Sequence, residues 1–172
     1  MAIERLDAIQ ATELIGGLAA LLRDAVESGA SVGFLPPLSE EESLAYWRGV
    51  IEEAGSGDCV LLVDHEDGKV LGSVQLAPAG KPNGRHRAEL QKLLVHRAAR
   101  RHGRGMALIA AAEDEARRAG RTLIVLDTRE GDQAEHLYQR AGYREGGRIP
   151  GYALNADGSA SGTVLYYRFL QD

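Results

Sequence analysis

Cysteine is nearly absent from this chain. Cys59 is the only one in 172 residues. A single thiol can form neither a disulfide framework nor the thiolate cluster of a structural zinc site, so both are excluded. Cys59 begins an aliphatic run, and we expect its side chain to lie in the core.

The chain also lacks a surplus of positive charge. Twenty Lys and Arg stand against 25 Asp and Glu, which gives a formal net charge of -5. General affinity for nucleic acid depends on surplus Lys and Arg, so this charge argues against a nucleic-acid partner and requires any anion site to be local. We predict no metal, because metal-ligand spacing is missing among the five histidines: His65, His86, His96, His102 and His136.

Long apolar runs are missing as well. Residues 1–5 show no basic region followed by an apolar stretch, and no run approaches the length that spans a membrane. We therefore expect a cytoplasmic protein without a membrane partner. The length fits one domain over residues 1–172, because no internal repeat or linker divides the chain.

Hydrophobic periodicity predicts a mixed α/β fold. Helices are predicted over 12–28, 39–54, 106–119 and 133–141. Strands are predicted over 59–64, 70–76, 88–95, 122–127, 143–149 and 163–170. Residues 29–38 form a loop, since Pro36-Pro37 cannot continue regular structure. The helix between the third and fourth of these strands implies a parallel strand pair with a right-handed crossover.

A basic, glycine-punctuated turn at residues 100–105 joins the strand 88–95 to the helix that follows. The first N–H groups of a helix have no intrahelical partner and its dipole is positive there, so this order of elements can hold a phosphate. It is not a Walker A loop, because no Gly-Lys-Ser or Gly-Lys-Thr follows, and Leu108 replaces the third glycine of a dinucleotide fingerprint. A plain strand-to-helix turn with solvated arginines is the alternative.

A wider arrangement resembles the GCN5-related N-acetyltransferase (GNAT) family. Arg100-x-x-Gly103-x-Gly105 is similar to the acetyl-CoA signature of that family. The segment 134–143, AEHLYQRAGY, is similar to a second conserved segment of the family, which follows the strand after the signature helix. The resemblance implies a GNAT-like, mixed and mostly antiparallel sheet with a central parallel strand pair and flanking helices. It also implies acetyl-CoA as the co-substrate.

Shorter strings resemble the tabtoxin-resistance acetyltransferase branch of this family. They are GASVGF at 29–34, QL at 75–76, KPNG at 81–84, RAE at 87–89, QKL at 91–93, LDT at 126–128 and PGY at 150–152. This resemblance implies that the acceptor is the primary amine of a small molecule, such as an amino-acid-like antibiotic or a β-lactam dipeptide toxin, and that the activity confers antibiotic resistance.

The family resemblance assigns cofactor contacts to the strand and turn. The pyrophosphate of coenzyme A would be held by main-chain N–H groups of His102, Gly103, Arg104, Gly105 and Met106. Arg100, Arg101 and Arg104 would add charge. Main-chain groups of Leu93 and Val95 would pair with the pantetheine arm, and the Leu93 N–H would donate to the acetyl carbonyl.

Three side chains are candidates for proton transfer. Tyr138 matches the tyrosine that the family often uses to protonate the departing thiolate. Glu89 lies on the same side of its strand as Leu93 if the period of two holds, roughly 13 Å away, which suggests a water relay. Asp127 ends the next strand, where α/β sheets place ligands. Whether Glu89 or Asp127 is the base, or both share a water, stays open.

Acceptor contacts in this family come from the loop between the first two helices and from the last strands. Here these regions supply Ser31, Phe34 and Tyr152. We therefore expect an acetyl-CoA-dependent N-acetyltransferase, as monomer or homodimer. The alternatives are a protein or peptide N-acetyltransferase, a non-catalytic acetyl-CoA-binding module, and a nucleic-acid module built on the basic stretch 85–104.

Overall fold

Seven strands and five helices are formed by residues 2–170, the part of the chain that this computed structural model describes. The strands are β1 (Ala2–Leu6), β2 (Val60–Glu66), β3 (Lys69–Pro78), β4 (Arg87–Val95), β5 (Leu123–Arg129), β6 (Arg144–Leu154) and β7 (Ala160–Phe169). The helices are α1 (Ala8–Glu13), α2 (Ile15–Glu27), α3 (Glu40–Ser56), α4 (Arg104–Arg118) and α5 (Gln133–Arg140).

The strands form one sheet in the order β1-β2-β3-β4-β5-β7-β6. Every neighbouring pair is antiparallel except the parallel pair β4 and β5. This confirms the predicted fold class. The parallel ladder is short, because only Arg87–Glu89 pair with Leu123–Val125. Beyond Glu89 the two strands separate, and the rest of β4 has no strand partner on its β5 side.

Helices cover the sheet on both faces, and each face has its own core. On the α2/α3 face the buried side chains include Leu18, Leu22, Trp47, Val63 and Leu94. On the α4/α5 face they include Leu108, Ile109, Ile124, Leu126 and Tyr166. The predicted place of Cys59 is confirmed, since its side chain is buried in the first of these cores.

A β-bulge interrupts β4 and changes which side chains share a face. Gln91 pairs with Gln75 and Leu94 pairs with Ser73, so one residue of β3 opposes two of β4. Lys92, inside the bulge, has a φ of 48°. Leu90 therefore lies in the α4/α5 core while Leu94, four residues later, lies in the α2/α3 core.

The bulge overturns one expectation about the site. Leu93 packs against the α4/α5 core, whereas Glu89 lies between Ala88 and Leu90, which both face that core, and so points to the α2/α3 face. Glu89 and Leu93 are on opposite faces of the sheet. The period of two fails here because the extra residue shifts the alternation by one position.

Local signals set most element boundaries. Ser39 caps α3 in a reciprocal capping box with Glu42. The single helix predicted over 12–28 is wrong: Asp7 caps a separate α1, and the chain breaks at Leu14 before α2. The Asp7–Gln10 capping box was the sequence signal for this earlier start.

Candidate active site

Helix α4 begins without a side-chain cap, unlike α1, α3 and α5. Its N-cap is Gly103, whose φ of 78° is left-handed and easily reached only by glycine. The first main-chain bond of the helix runs from Ala107 N–H to the Gly103 carbonyl at 3.0 Å. The N–H groups of Arg104, Gly105 and Met106 precede that bond and have no intrahelical acceptor, which is the arrangement that binds an anion.

Gly105 brings α4 close to α5. A Cβ atom at this position would lie 3.0 Å from a methyl carbon of Leu137 and 4.0 Å from Val95. Glycine therefore lets the first turn of α4 pack beside both α5 and the end of β4. The turn, the strand edge and α5 meet at this point.

The Arg104 side chain does not face the anion site. Its guanidinium donates to Asp64 at 2.6 Å and to Glu66 at 2.9 Å, and the Asp64 side chain is fully buried. The expectation that this side chain adds charge for a pyrophosphate is thus wrong. The cause is a buried carboxylate on β2, which needs a cation more strongly than a solvated anion does.

The Arg100 side chain is also engaged elsewhere. It donates to the Val95 carbonyl at 3.0 Å and to the Ser28 hydroxyl at 2.7 Å, and so ties the end of β4 to the end of α2. This corrects its expected role as a charge that faces the pyrophosphate. Arg101 has a φ of 64°, is exposed, and makes no side-chain hydrogen bond or ion pair within residues 2–170. His102 is exposed, and its Nδ1 lies 2.7 Å from the Arg100 carbonyl.

Tyr138 reaches the site from the α4/α5 face. Its side chain is buried, with ring centroids of Tyr143 and Tyr166 at 5.9 and 6.1 Å. Burial, together with the charges of Asp127 and Asp132, raises the pKa of its hydroxyl well above the ordinary value. The hydroxyl makes no hydrogen bond to any of residues 2–170. It therefore keeps its proton and has that proton available to donate.

Asp127 lies on the α2/α3 face of the sheet, opposite the α4/α5 core that contains Tyr138. It follows Ile124 and Leu126, which point into the α4/α5 core, so it faces the α2/α3 side by alternation. Its carboxylate accepts a hydrogen bond from the Thr163 hydroxyl at 2.8 Å. Asp127 is exposed two residues beyond the last pair of the parallel ladder, where β4 and β5 have separated, and its carboxylate can accept a proton from an incoming amine.

Glu89 shares the α2/α3 face with Asp127, at the last residue pair of the parallel ladder. It is exposed and lines a shallow cavity of about 490 Å³. The other residues of that cavity include Gly80, Lys81, Asn83, Arg87 and Val125. The connection between β3 and β4 thus lies beside Glu89.

Three further polar side chains on this face were missed by the sequence analysis. Tyr46 on α3 bonds the side-chain amide of Gln75 at 2.9 Å, and burial raises the pKa of the Tyr46 hydroxyl to about 12. Lys92 points from the bulge to the same side, with its nitrogen 5.7 Å from the Tyr46 ring centroid. In the sequence Gln75 and Lys92 stand within the strings QL and QKL, and Tyr46 adjoins the core residue Trp47, so no pattern separated these three from their neighbours.

The expected acceptor residues are only partly brought together. Phe34 stands edge-on to Tyr46 with ring centroids 5.3 Å apart, so the 29–38 loop does reach this face. Arg129 on β5 fixes the start of that loop by donating to the Gly29 carbonyl at 3.0 Å. Ser31 is exposed in the same loop. Tyr152 is exposed on β6, and no described contact joins it to the other candidates.

Two wider properties complete the description of residues 2–170. No three His, Cys, Asp or Glu side chains in this range lie close enough together to hold a metal ion. None of its helices combines the length and apolar character needed to cross a membrane.

Comparison with known proteins identifies this arrangement. The profile of the acetyltransferase (GNAT) family matches residues 18–143. The chain is 34% identical over 130 residues to an uncharacterised N-acetyltransferase from the hisH-hisA intergenic region of Azospirillum brasilense, which covers 74% of this chain and 75% of that protein.

Solved structures share the fold at low sequence identity. Over 100% of this chain and 95% of the other, the structure is similar to yncA, a candidate acetyltransferase from Salmonella typhimurium solved with acetyl-CoA, with a TM-score of 0.80 and 21% identity. A candidate phosphinothricin N-acetyltransferase gives a TM-score of 0.79 and 20% identity over 99% of both chains. On the family match and the relative from Azospirillum, the chain belongs to the GNAT family and is an acetyl-CoA-dependent N-acetyltransferase.

Proposed function

We propose that this enzyme acetylates the primary amine of a small, amino-acid-like molecule. The observation that carries the proposal is the placement of Glu89 and Asp127 on the α2/α3 face, where β4 and β5 separate, with Tyr138 on the other side of the sheet. Bases for the acceptor and an acid for the leaving group thus lie on opposite sides of one opening.

The donor half of the site fits acetyl-CoA. Three N–H groups at the start of α4 have no side-chain cap, and Gly103 and Gly105 leave the main chain accessible there. Main-chain groups of β4 beyond Glu89 lack a strand partner on the β5 side, so Leu93 and Val95 can pair with an extended pantetheine arm. His102 contributes its N–H, and Arg101 is the arginine of the turn whose charge remains available.

Each residue then has a defined chemical task. Acetyl-CoA supplies the acetyl group as a thioester. The Leu93 N–H donates to the carbonyl oxygen as negative charge develops there. Glu89 or Asp127, directly or through a shared water, accepts the proton that the attacking amine loses. A C–N bond forms, the C–S bond breaks, and Tyr138 gives its proton to the departing sulfur.

The acceptor class is inferred from the surroundings of the two carboxylates. The charges of both carboxylates act on Lys92, whose ammonium lies over the ring of Tyr46, and Phe34 of the 29–38 loop stands edge-on to that ring. Such aromatic surroundings suit a small substrate better than a folded protein surface. One similar structure is a candidate phosphinothricin N-acetyltransferase, an enzyme for an amino-acid-like compound. We extend the proposal to β-lactam dipeptide toxins, whose acetylation in the cytoplasm would confer resistance.

A panel assay tests this proposal. The pure protein is mixed with acetyl-CoA and with amino acids, dipeptides, phosphinothricin, aminoglycosides or histone-tail peptides, and free thiol release is followed. We expect release with amino acids or dipeptides. Release only with the histone-tail peptides would favour a protein acetyltransferase, and acetyl-CoA binding without release from any amine would favour a non-catalytic module.

A further inference from the structure

Lys92 occupies an unusual place on the α2/α3 face of the sheet. It lies inside the β4 bulge with a left-handed φ of 48°, a conformation that a lysine rarely adopts. The bulge turns its side chain to the α2/α3 face, where the ammonium lies over the ring of Tyr46. A Cβ atom at Gly33 would be 3.8 Å from the Lys92 side-chain nitrogen, so the 29–38 loop passes directly beside this lysine.

The Lys92 ammonium has no bonded counter-ion. It forms neither a hydrogen bond nor an ion pair with any of residues 2–170, although the side chain is half-buried. Burial lowers its pKa, and the carboxylates of Asp127 and Glu89 act in the opposite direction from beyond ion-pair distance. The ring of Tyr46 is the partner of this half-buried cation, and an anion bound beside it would offset the remaining cost of its burial.

We propose that Lys92 binds the acid group of the acceptor, so that the preferred substrate carries a carboxylate or similar anion close to its amine. The charges are arranged for such a zwitterion. Asp127 and Glu89 attract the amine to the opening between β4 and β5, and Lys92 holds the acid end against Gly33 and Tyr46. Lys92 is thus a residue that determines specificity, and this inference rests on the proposed function.

Matched acid and amide acceptors test this role. The kcat/KM for acetyl transfer is measured for methionine, glutamine and alanyl-alanine, each against its C-terminal amide. Amides lose the amine proton more readily, so intrinsic reactivity favours them. We nevertheless expect the wild type to prefer the acids by about 10- to 100-fold, the effect of one charge-assisted hydrogen bond.

Substitutions of Lys92 test whether the preference for acids over amides depends on this residue. Lys92→Met should abolish the preference for acids, and Lys92→Arg should keep most of it. Lys69→Met, at the exposed first residue of β3, should change nothing. An equal loss for acids and amides in Lys92→Met would overturn the proposal, because it would mean that Lys92 acts only on the base. A wild type that turns over amides as well as acids would overturn it too.

Calorimetry keeps the two proposals separate. Binding of the same acids and amides is measured with coenzyme A present, so that no acetyl group moves. Acid binding that Lys92→Met weakens supports the Lys92 site even if turnover is absent, in which case only the proposed function fails. If the wild type binds no acid more tightly than its amide, the Lys92 site is refuted whatever the turnover.

Discussion

Among the side chains of the site, Tyr138 has the environment best suited to donating a proton. An acid must keep its proton until the sulfur leaves, and burial with nearby carboxylates favours the neutral phenol. The tyrosine is held by a helix and by two neighbouring rings, so its position does not depend on a loop.

Replacement of Tyr138 by Phe isolates this hydroxyl. Because the ring contacts remain, we expect kcat to fall by about 100-fold or more, the usual contribution of a general acid, with acetyl-CoA affinity nearly unchanged. Since the pKa of Tyr138 is raised, its titration should not limit kcat at pH 9. Steady-state kinetics with a coenzyme A titration checks both points, and unchanged turnover in the variant would remove the acid role.

The arginines of the turn show how far a side chain's role depends on distant partners. Arg104 pairs with Asp64 and Arg100 with Ser28, forty and seventy-two positions away in the sequence. The family resemblance placed all three arginines of the turn near the phosphate. Only Arg101 keeps a side chain that could serve there.

At the scale of elements, two helical glycines make a matched pair. Gly105 in α4 faces Leu137 at a Cβ distance of 3.0 Å, whereas a Cβ at Gly49 in α3 would meet nothing within 4 Å. The same methyl group therefore has opposite consequences in the two helices.

We expect Gly105→Ala to destabilise the protein by about 1 kcal/mol or more and to weaken acetyl-CoA binding, because α5 must move from α4 and from β4. Gly49→Ala should instead stabilise by up to about 1 kcal/mol through helix propensity, with no effect on binding. Urea unfolding and coenzyme titration measure both. Equal effects of the two substitutions would show that the α4–α5 approach is not tight.

An acidic residue joins α2 to the chain beyond β4. Burial raises the pKa of Asp24, but hydrogen bonds from the Arg97 main chain, at 2.9 Å, and from its guanidinium outweigh it, so the pKa is lowered. A carboxyl whose pKa is depressed by folding stabilises the fold above its unfolded pKa, and that contribution is lost as pH falls through the folded value.

The unfolding free energy should reflect this bond. Between pH 6 and pH 3 we expect the wild type to lose up to about 1 kcal/mol more than Asp24→Asn, because the variant has no carboxylate whose protonation weakens the bond to Arg97. Urea titrations across this range measure the difference. Parallel curves for the two proteins would mean that Asp24 contributes no pH-dependent stability.

For the molecule as a whole, the net charge and the bonding of the arginines both disfavour nucleic-acid binding. The net charge is -5, and two arginines of the basic turn are bonded internally. We therefore expect the start of α4 to bind one anion locally and not to form a surface for nucleic acid.

Thermal unfolding tests this distinction. At 100 times its Kd, acetyl-CoA should add about 2.7 kcal/mol to the unfolding free energy and raise Tm by roughly 5–10 °C. A DNA duplex at low salt should leave Tm unchanged. The opposite pattern, or retention on DNA with a steep salt dependence, would favour the nucleic-acid module.

The sequence alone determined the kinds of element, most of their order and the strand–turn–helix motif of the donor site. These features follow from signals within a few residues: apolar periodicity, capping pairs such as Ser39 with Glu42, and glycines where the main chain must turn. The parallel pairing of β4 with β5 followed from the βαβ pattern, but the point where the two strands separate did not.

Tertiary structure decided which side chains meet. The bulge at Lys92 exists only in the pairing of β4 with β3. It places Glu89 on the face opposite Leu93 and directs the Lys92 side chain toward Tyr46 and the 29–38 loop. Likewise, the buried Asp64 of β2 took the charge of Arg104. Strand register and ion pairs join residues far apart in sequence, so no local pattern could fix them.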